Sequence, residues 1–342
     1  MIKVFRKIFL IMAPALMIIF SGCIHEYPHP VRGASDKGED PTRLNAFIEV
    51  TFDLSWQQLI HHIDFDATET RVNRVPNHRL VLEVRNDEEL ICHDVVTLNE
   101  ADFINGYVRH KLSTVLNPSI YSLAVWLDRE NDEGDYSFDT KDLANLFLTN
   151  LSTSDFESKF CGYRSEILDL REEQAGTEKD FNFALELEHA GAGFEIVTTD
   201  IVQFINNNKE ALNQGDSFRV IFPVYSGAYR CFNIFNNQIL GEEEPWTLEG
   251  RMRLPYADYE ELKIAEGFFF SEEESMVSAK LSVINSALVP IRQTDTFTFP
   301  VKRGHITTVT GNFLSTLIEG NFTIDNIWEG EIEFRYEESA NP

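Results

Sequence analysis

Apolar and polar residues alternate with a period of two along much of this chain, as expected for β-strands that bury one face. The clearest run follows residue 43, where every second position is apolar: Ala46, Ile48, Val50, Phe52 and Leu54. Similar runs recur at 80–84, 121–127, 181–187, 218–224, 281–283, 297–299 and 332–334. Many short strands with few helical stretches predict an all-β chain folded as β-sandwiches.

Two segments carry a helical pattern. Residues 200–205 predict a short helix, because Asp200 precedes the apolar positions and Asp is a favoured N-cap residue. Residues 101–115 also fit a helix, but 107–112 fit a strand equally well, so the pattern leaves both assignments open.

The first residues have the pattern of an export signal. Lys3, Arg6 and Lys7 precede an apolar run at 8–20, and Ser21-Gly22 stand directly before Cys23. This order of basic, apolar and small residues is typical of secretion signals. A cysteine directly after the small pair resembles a bacterial lipoprotein signal, in which Cys23 becomes the first mature residue and carries the lipid. An ordinary secretory signal and an N-terminal transmembrane anchor are the alternatives.

Composition shifts along the chain predict its domain organisation. The stretch 23–43 is polar and contains Pro and Gly without periodicity, which favours a flexible tether. The alternation is weakest at 168–179, and the length allows two domains of about 150 residues each. We therefore expect a signal at 1–22, a tether at 23–43, an N-terminal β-sandwich at 44–175 and a C-terminal β-sandwich at 176–342.

The chain is strongly acidic, with 56 Asp and Glu against 29 Lys and Arg and a formal net charge of −27. Nucleic-acid binding needs basic side chains that displace counterions from phosphates, so no nucleic-acid partner is expected. The same charge disfavours electrostatic docking of the whole surface on anionic lipid. Membrane attachment is then left to the lipid on Cys23.

One acidic turn is a weak metal candidate. Asp128, Glu130 and Asp132 have the alternate spacing of a calcium-binding loop. Glu133 stands where such a loop has glycine, and the flanking segments are strands rather than helices. A solvated hairpin tip is therefore the favoured interpretation.

Other clusters of reactive side chains are poorly placed for chemistry. His61-His62 and Cys92-His93-Asp94 are adjacent residues, and neighbours on a strand point to opposite faces. Cys92, Cys161 and Cys231 are an odd set among apolar neighbours, and we interpret them as free thiols in strands. Their pairing state stays open.

The sequence has no phosphate-binding glycine loop, dinucleotide fingerprint or HExxH zinc motif. We therefore expect no cofactor and no enzymatic activity, although the many carboxylates leave a glycosidase pair open. Trp246 and Trp328 flank turns, and they are the stacking candidates if the protein binds glycans.

Four segments together resemble the fimbrillin-associated anchor lipoproteins of Bacteroidota. They are the signal that ends at Cys23, the tryptophan-containing segment at 121–143, the segment 192–201, and the segment 290–313, which ends in the motif RGHITTVTGNF. The last motif is the most specific, and the four segments together span most of the chain.

The resemblance implies two tandem Greek-key, transthyretin-like β-sandwiches behind the lipid. It also implies a fimbrial anchor or assembly subunit at the outer membrane, displayed on the cell surface. Its partners would be fimbrial stalk or accessory subunits, bound by β-strand addition, and no catalytic residue is carried over. The resemblance leaves open whether the protein is an anchor or a tip subunit, and whether it donates or accepts a strand. A surface glycan-binding lipoprotein is the alternative.

Overall fold

The computed structural model describes residues 43–53, 77–99, 102, 107–131, 133–152, 159, 161–241, 245–252, 254 and 260–314, together with the backbone of strands at 320–325 and 332–334. Two α-helices lie within these residues, α1 (Ile201–Asn207) and α2 (Lys209–Asn213), and a short 3-10 helix spans Leu143–Asn145. The strands of these residues are β1 (Leu44–Asp53), β2 (His78–Asn86), β3 (Glu89–Leu98), β4 (Tyr107–Leu116), β5 (Ile120–Arg129), β6 (Phe138–Asp139), β7 (Leu146–Leu148), β8 (Cys161–Asp169), β9 (Glu178–Leu185), β10 (Gly191–Thr198), β11 (Phe218–Ser226), β12 (Cys231–Asn233), β13 (Gln238–Leu240), β14 (Trp246–Arg251), β15 (Leu262–Phe270), β16 (Glu274–Ala279), β17 (Ser282–Asn285), β18 (Pro290–Gln293), β19 (Phe297–Lys302), β20 (Ile306–Gly311), β21 (Gly320–Asp325) and β22 (Ile332–Phe334).

The first sandwich packs a three-stranded sheet, β4-β1-β9, against a four-stranded sheet, β3-β2-β5-β8. Alternate side chains of β1 and of the facing strands β2 and β5 fill one buried cluster. These are the positions that the period-two pattern selects, so the predicted all-β, sandwich-type fold is confirmed. Residues 107–116 form strand β4, which decides between the two assignments of that segment.

The second sandwich packs the sheet β15-β10-β20-β21-β22 against β18-β17-β11-β16-β19, with β14 paired to β11. Aromatic rings dominate its core. Phe194 stacks on Phe222 with ring centroids 5.0 Å apart. Helix α1 closes one end, because its Phe204 packs edge-on against Phe218 at 5.1 Å.

The predicted helix at 200–205 is confirmed, and Asp200 occupies its N-cap position. The Asp200 side chain makes no capping hydrogen bond to α1. Its carboxylate instead accepts hydrogen bonds from the Leu314 amide, at 3.0 and 3.2 Å, and from the Thr198 hydroxyl. Asp200 therefore fixes the chain where it leaves β20, a contact across 114 residues that local sequence does not encode.

The change from one sandwich to the next lies later than the predicted boundary at 175/176. Strand β9 follows that boundary but pairs in parallel with β1, from Asn45 opposite Glu178 to Phe52 opposite Leu185. The sheets of the second sandwich begin with β10 at Gly191. The polar stretch near 175 is therefore a turn within the first sandwich, and β9 completes its smaller sheet.

A third, small sheet, β13-β12-β7-β6, lies between the sandwiches. Its apolar side chains share one buried cluster with outer-face residues of both: Val81, Ala124 and Trp126 from the first sandwich, and Phe268, Phe270 and Ile306 from the second. Phe138 of β6 is central. Its ring centroid lies 5.0 Å from Trp126 and 5.8 Å from each of the two phenylalanines.

Two buried carboxylates attach the segment that follows β5 to the outer face of the first sandwich. Glu83 is fully buried and accepts hydrogen bonds from the Arg85 Nε at 2.6 Å and the Leu143 amide at 3.0 Å. Asp128 accepts one from the Arg79 Nε at 3.0 Å. Burial raises the pKa of the Asp128 carboxyl, and Arg79 opposes that shift.

Arg79 also reaches the segment itself. Its Nη2 donates to the Phe138 carbonyl at 2.9 Å, and its guanidinium lies 4.1 Å from the centroid of the Tyr136 ring. The position of Phe138 between the sandwiches thus depends on charged groups as well as on apolar packing. No helix of the described residues is both long and apolar enough to cross a bilayer.

We predict that Phe138→Ala destabilises the protein by about 3–5 kcal/mol, the usual cost of removing a buried phenylalanine ring. The loss should appear as a lower urea midpoint, measured by circular dichroism. Tyr107→Ala is the control, because Tyr107 is 52% exposed. An equal midpoint for the two variants would contradict a central role for Phe138.

Candidate functional site: the groove filled by strand β1

Strand β1 is the middle strand of its sheet and the only sheet partner of β4 and β9 among the described strands. It pairs antiparallel with β4 from Leu44 opposite Leu116 to Asp53 opposite Tyr107, and parallel with β9. Withdrawal of β1 would leave these two strands unpaired on facing sides. The space between β4 and β9 is therefore a groove that accepts one strand, and β1 fills it.

The floor of this groove takes alternate side chains of β1. The inward-facing residues are at most 1% exposed: Leu44, Ala46, Ile48, Val50 and Phe52. Burial of each large side chain contributes roughly 1.5–3 kcal/mol. Strand β1 can leave only if a strand of the same alternation takes its place, and the fully buried Ala46 requires a small residue at that position.

The outer face of the groove is polar. The Arg109 Nη2 of β4 lies 2.6 Å from the Glu49 Oε1 of β1. The Lys111 Nζ lies 3.0 Å from the Asp180 Oδ1 of β9, and 4.5 Å from the centroid of the Phe47 ring between them. Exposed pairs of this kind add little stability. They favour one register, because a shift by one residue would bring the apolar side chains of β1 to this face.

Two of the other sheet edges, those of β3 and β18, are protected against pairing. On β3, Asp94 points across the sandwich edge, and its Oδ2 lies 3.0 Å from the His110 Nε2 of β4. On β18, Pro290 has no amide hydrogen, and a bulge interrupts the pairing beside Ile284. Inward charges, prolines and bulges are the means by which sheets block edge pairing. These two edges are therefore poor places for an incoming strand.

Several predicted site residues lie outside the described part of the chain: Cys23, His61, His62, Asp132 and Trp328. Their roles stay predictions.

Two of the three candidate ligands of the acidic turn, Asp128 and Glu130, are buried. Asp128 is held by Arg79, and the Glu130 Oε1 lies 3.0 Å from the Asn77 Nδ2. Within the described ranges, no group of three or more His, Cys, Asp and Glu side chains is arranged to hold a metal ion.

Trp246 belongs to the core of the second sandwich. It is 9% exposed, its Nε1 donates to the Ala228 carbonyl at 3.2 Å, and its ring meets Phe269 edge-on at 6.4 Å. Its faces are therefore not available for stacking on a sugar.

The three described cysteines, Cys92, Cys161 and Cys231, are free thiols. Cys161 is buried, and burial raises the pKa of its thiol well above the ordinary value. Neutral, apolar thiols of this kind are suited to packing rather than to nucleophilic chemistry.

Sequence reasoning missed the polar side of the groove. Arg109 and Lys111 alternate with the less exposed Val108, His110 and Leu112 of β4, and that alternation is visible in the sequence. Their acidic partners on β1 and β9 depend on pairing between distant segments, which the pattern of one strand does not specify.

Comparison with protein families matches residues 41–341 to a family of unknown function (DUF6562). Comparison with curated proteins gives no match.

Solved structures show distant likeness. A candidate adhesin from Bacteroides ovatus is 10% identical, with 87% of this chain and 97% of that chain covered at a TM-score of 0.41. A fimbrial assembly protein from Parabacteroides distasonis is 12% identical, with coverage of 83% and 97% and a TM-score of 0.36. The tip fimbrial protein Mfa3 from Porphyromonas gingivalis, with a C-terminal truncation, is 10% identical, with coverage of 82% and 99% and a TM-score of 0.37.

We predict that Ile48→Ala lowers the free energy of unfolding by about 2–5 kcal/mol, because it leaves a cavity in the groove floor. Glu49→Ala, one residue further on the same strand, should cost less than about 1 kcal/mol, because its ion pair is on the solvent side. Urea denaturation of both variants measures the difference. Similar losses for the two would contradict the inward and outward assignment of β1.

Proposed function

The chain belongs to the DUF6562 family, and we propose that it is a lipid-anchored, surface-displayed fimbrial anchor or assembly subunit. In this proposal Cys23 carries the lipid at the outer membrane, and neighbouring subunits bind by β-strand addition. One observation supports the strand chemistry above the others. Strand β1 fills a groove that pairs with a strand on both sides and has pockets for alternate side chains, which are the two requirements of strand addition.

The groove allows two directions of exchange. A strand from a neighbouring subunit can replace β1, or β1 of one copy can enter the groove of the next. In both cases each backbone hydrogen bond with β4 and β9 is replaced by an equivalent one. The net cost of exchange is therefore small, although the barrier includes exposure of five buried side chains.

The charge of the chain is consistent with such an assembly. A formal net charge of −27 keeps copies apart in solution and opposes association through non-specific contacts. Association then needs a contact whose backbone pairing and apolar burial exceed the repulsion. A shared strand provides both.

We predict that a disulfide across β1 and β4 abolishes partner binding. Asn45→Cys with Val115→Cys joins residues that are directly opposite in the register, at a spacing that suits a disulfide. In the oxidised form β1 cannot leave the groove, so co-purification of fimbrial subunits from the native cells should be lost, and a reductant should restore it.

The matched control is Ser278→Cys with Thr298→Cys, an opposed pair on β16 and β19 that leaves β1 untouched. This pair should bind fimbrial subunits equally in both redox states. Undiminished binding by the oxidised β1–β4 pair would exclude exchange of β1.

We predict that Cys23→Ala moves the protein from the membrane fraction to the soluble or secreted fraction, because it removes the only expected acyl acceptor. Fractionation with immunoblotting of the protein and of its fimbriae measures the change. Cys92→Ala is the control, since this thiol lies on β3 of the folded domain. Membrane retention of the Cys23→Ala protein would contradict lipid anchoring at this residue.

A further inference from the structure

The turn between β17 and β18 carries a run of exposed apolar residues. Residues 286–291, here called the aliphatic tip, are all exposed and read Ser286-Ala287-Leu288-Val289-Pro290-Ile291. None is charged. Such a run contrasts with the alternation in the rest of the chain, and exposed apolar clusters mark sites of contact with proteins or membranes.

The tip is held in one conformation by polar groups at its base. The Asn285 Oδ1 accepts hydrogen bonds from the amides of Ala287 at 3.1 Å and Val289 at 2.9 Å. The Ser286 amide donates to the Asp216 Oδ1, also at 3.1 Å. The apolar side chains are therefore presented on an ordered frame before any contact is made, which lowers the entropy cost of binding.

The stability of the fold does not explain why residue 288 is a leucine. Its φ is +62°, in the left-handed region where glycine is favoured and other residues are strained. Its side chain is 63% exposed, so little packing compensates that strain. A leucine at this position is better explained by an apolar contact outside the chain.

The tip does not favour pairing with another strand, because β18 begins with Pro290 and contains a bulge. It is also too small for a stable protein interface, which needs about 20–30 residues from each partner. A short, uncharged, exposed run of Leu, Val, Pro and Ile suits the apolar boundary of a lipid bilayer, because a fluid bilayer needs no matching surface.

Two arginines lie beside the tip on one face of the sheet. The register places Arg251 opposite Arg219, Arg219 opposite Ile284, and Ile284 opposite Pro290. Cross-strand neighbours share a face. Neither guanidinium forms an ion pair with a residue that the structure describes, although Glu249 lies on the same face of β14. In a chain with 56 acidic residues, two adjacent arginines without an acidic partner favour an external anion such as a lipid phosphate.

We propose that the aliphatic tip inserts into the interface of a phospholipid bilayer while Arg219 and Arg251 contact phosphate headgroups. The second sandwich then rests against the membrane. The acidity of the remaining surface repels anionic lipid, so zwitterionic phosphatidylcholine is the preferred surface. This contact does not depend on strand exchange in the first sandwich.

The test places a fluorescent side chain in the tip. The full protein carrying Val289→Trp is reconstituted with phosphatidylcholine vesicles that contain brominated acyl chains. Met276→Trp on β16 is the control, because Val289 and Met276 are 53% and 55% exposed. With the wild-type emission subtracted, the Val289→Trp signal should shift to the blue and be quenched at least about twofold more than the Met276→Trp signal. Equal quenching, or none, would overturn the proposal.

Two further variants separate the bilayer contact from folding. Leu288→Gly in the Val289→Trp background should raise the thermal midpoint, because the strain is released, and yet reduce quenching. Arg219→Gln with Arg251→Gln should reduce quenching without a change in the midpoint, and unchanged quenching would exclude the arginines. The Val289→Trp emission is also measured without vesicles. A blue shift that grows with protein concentration there would show that a second copy of the protein covers the tip, and it would also overturn the proposal.

Discussion

The pairing of β1 with both β4 and β9 is the interaction on which the first sandwich depends. Neither outer strand has another sheet partner among the described strands, so the smaller sheet exists only while a strand fills its centre. That central strand lies next to the predicted tether in sequence. The fold thus requires a strand at this position, but the backbone pairing does not require that the strand belong to the same chain.

The junction between the sandwiches has a different physical basis. Phe138 packs between rings of both units, and two buried carboxylates hold its segment through Arg79 and Arg85. His189 lies near this junction, directly after the bridge between Tyr163 and Glu188. Burial lowers the pKa of its ring to about 4, so the ring is neutral at physiological pH. A buried carboxylate without its arginine would be costly, so the polar groups here specify one arrangement in addition to the apolar packing.

Sequence reasoning predicted the features that depend on one segment at a time. The alternation in β1 and β5 identified their buried faces, and the helix at 200–205 was found because its apolar spacing is local. The junction was not predicted, because Val81, Ala124 and Trp126 occupy the face that a simple sandwich leaves to solvent, and only the tertiary structure shows the small sheet that covers it. The hydrogen bond from the Leu314 amide to Asp200 was not predicted for the same reason, because the two residues are distant in the chain. The assignment of β9 failed because a polar turn has the composition of a domain boundary.

The orientation of β1 also has a mechanical consequence. If the tether before Leu44 is fixed to a membrane and the rest of the protein is pulled away along the axis of β1, the load enters at the first residue of that strand. The hydrogen bonds to β4 and β9 run across that axis. They are therefore loaded in shear and must break together, whereas a hairpin pulled at its open end separates one pair at a time. The strand whose replacement would join two subunits is thus also the strand that resists detachment under tension.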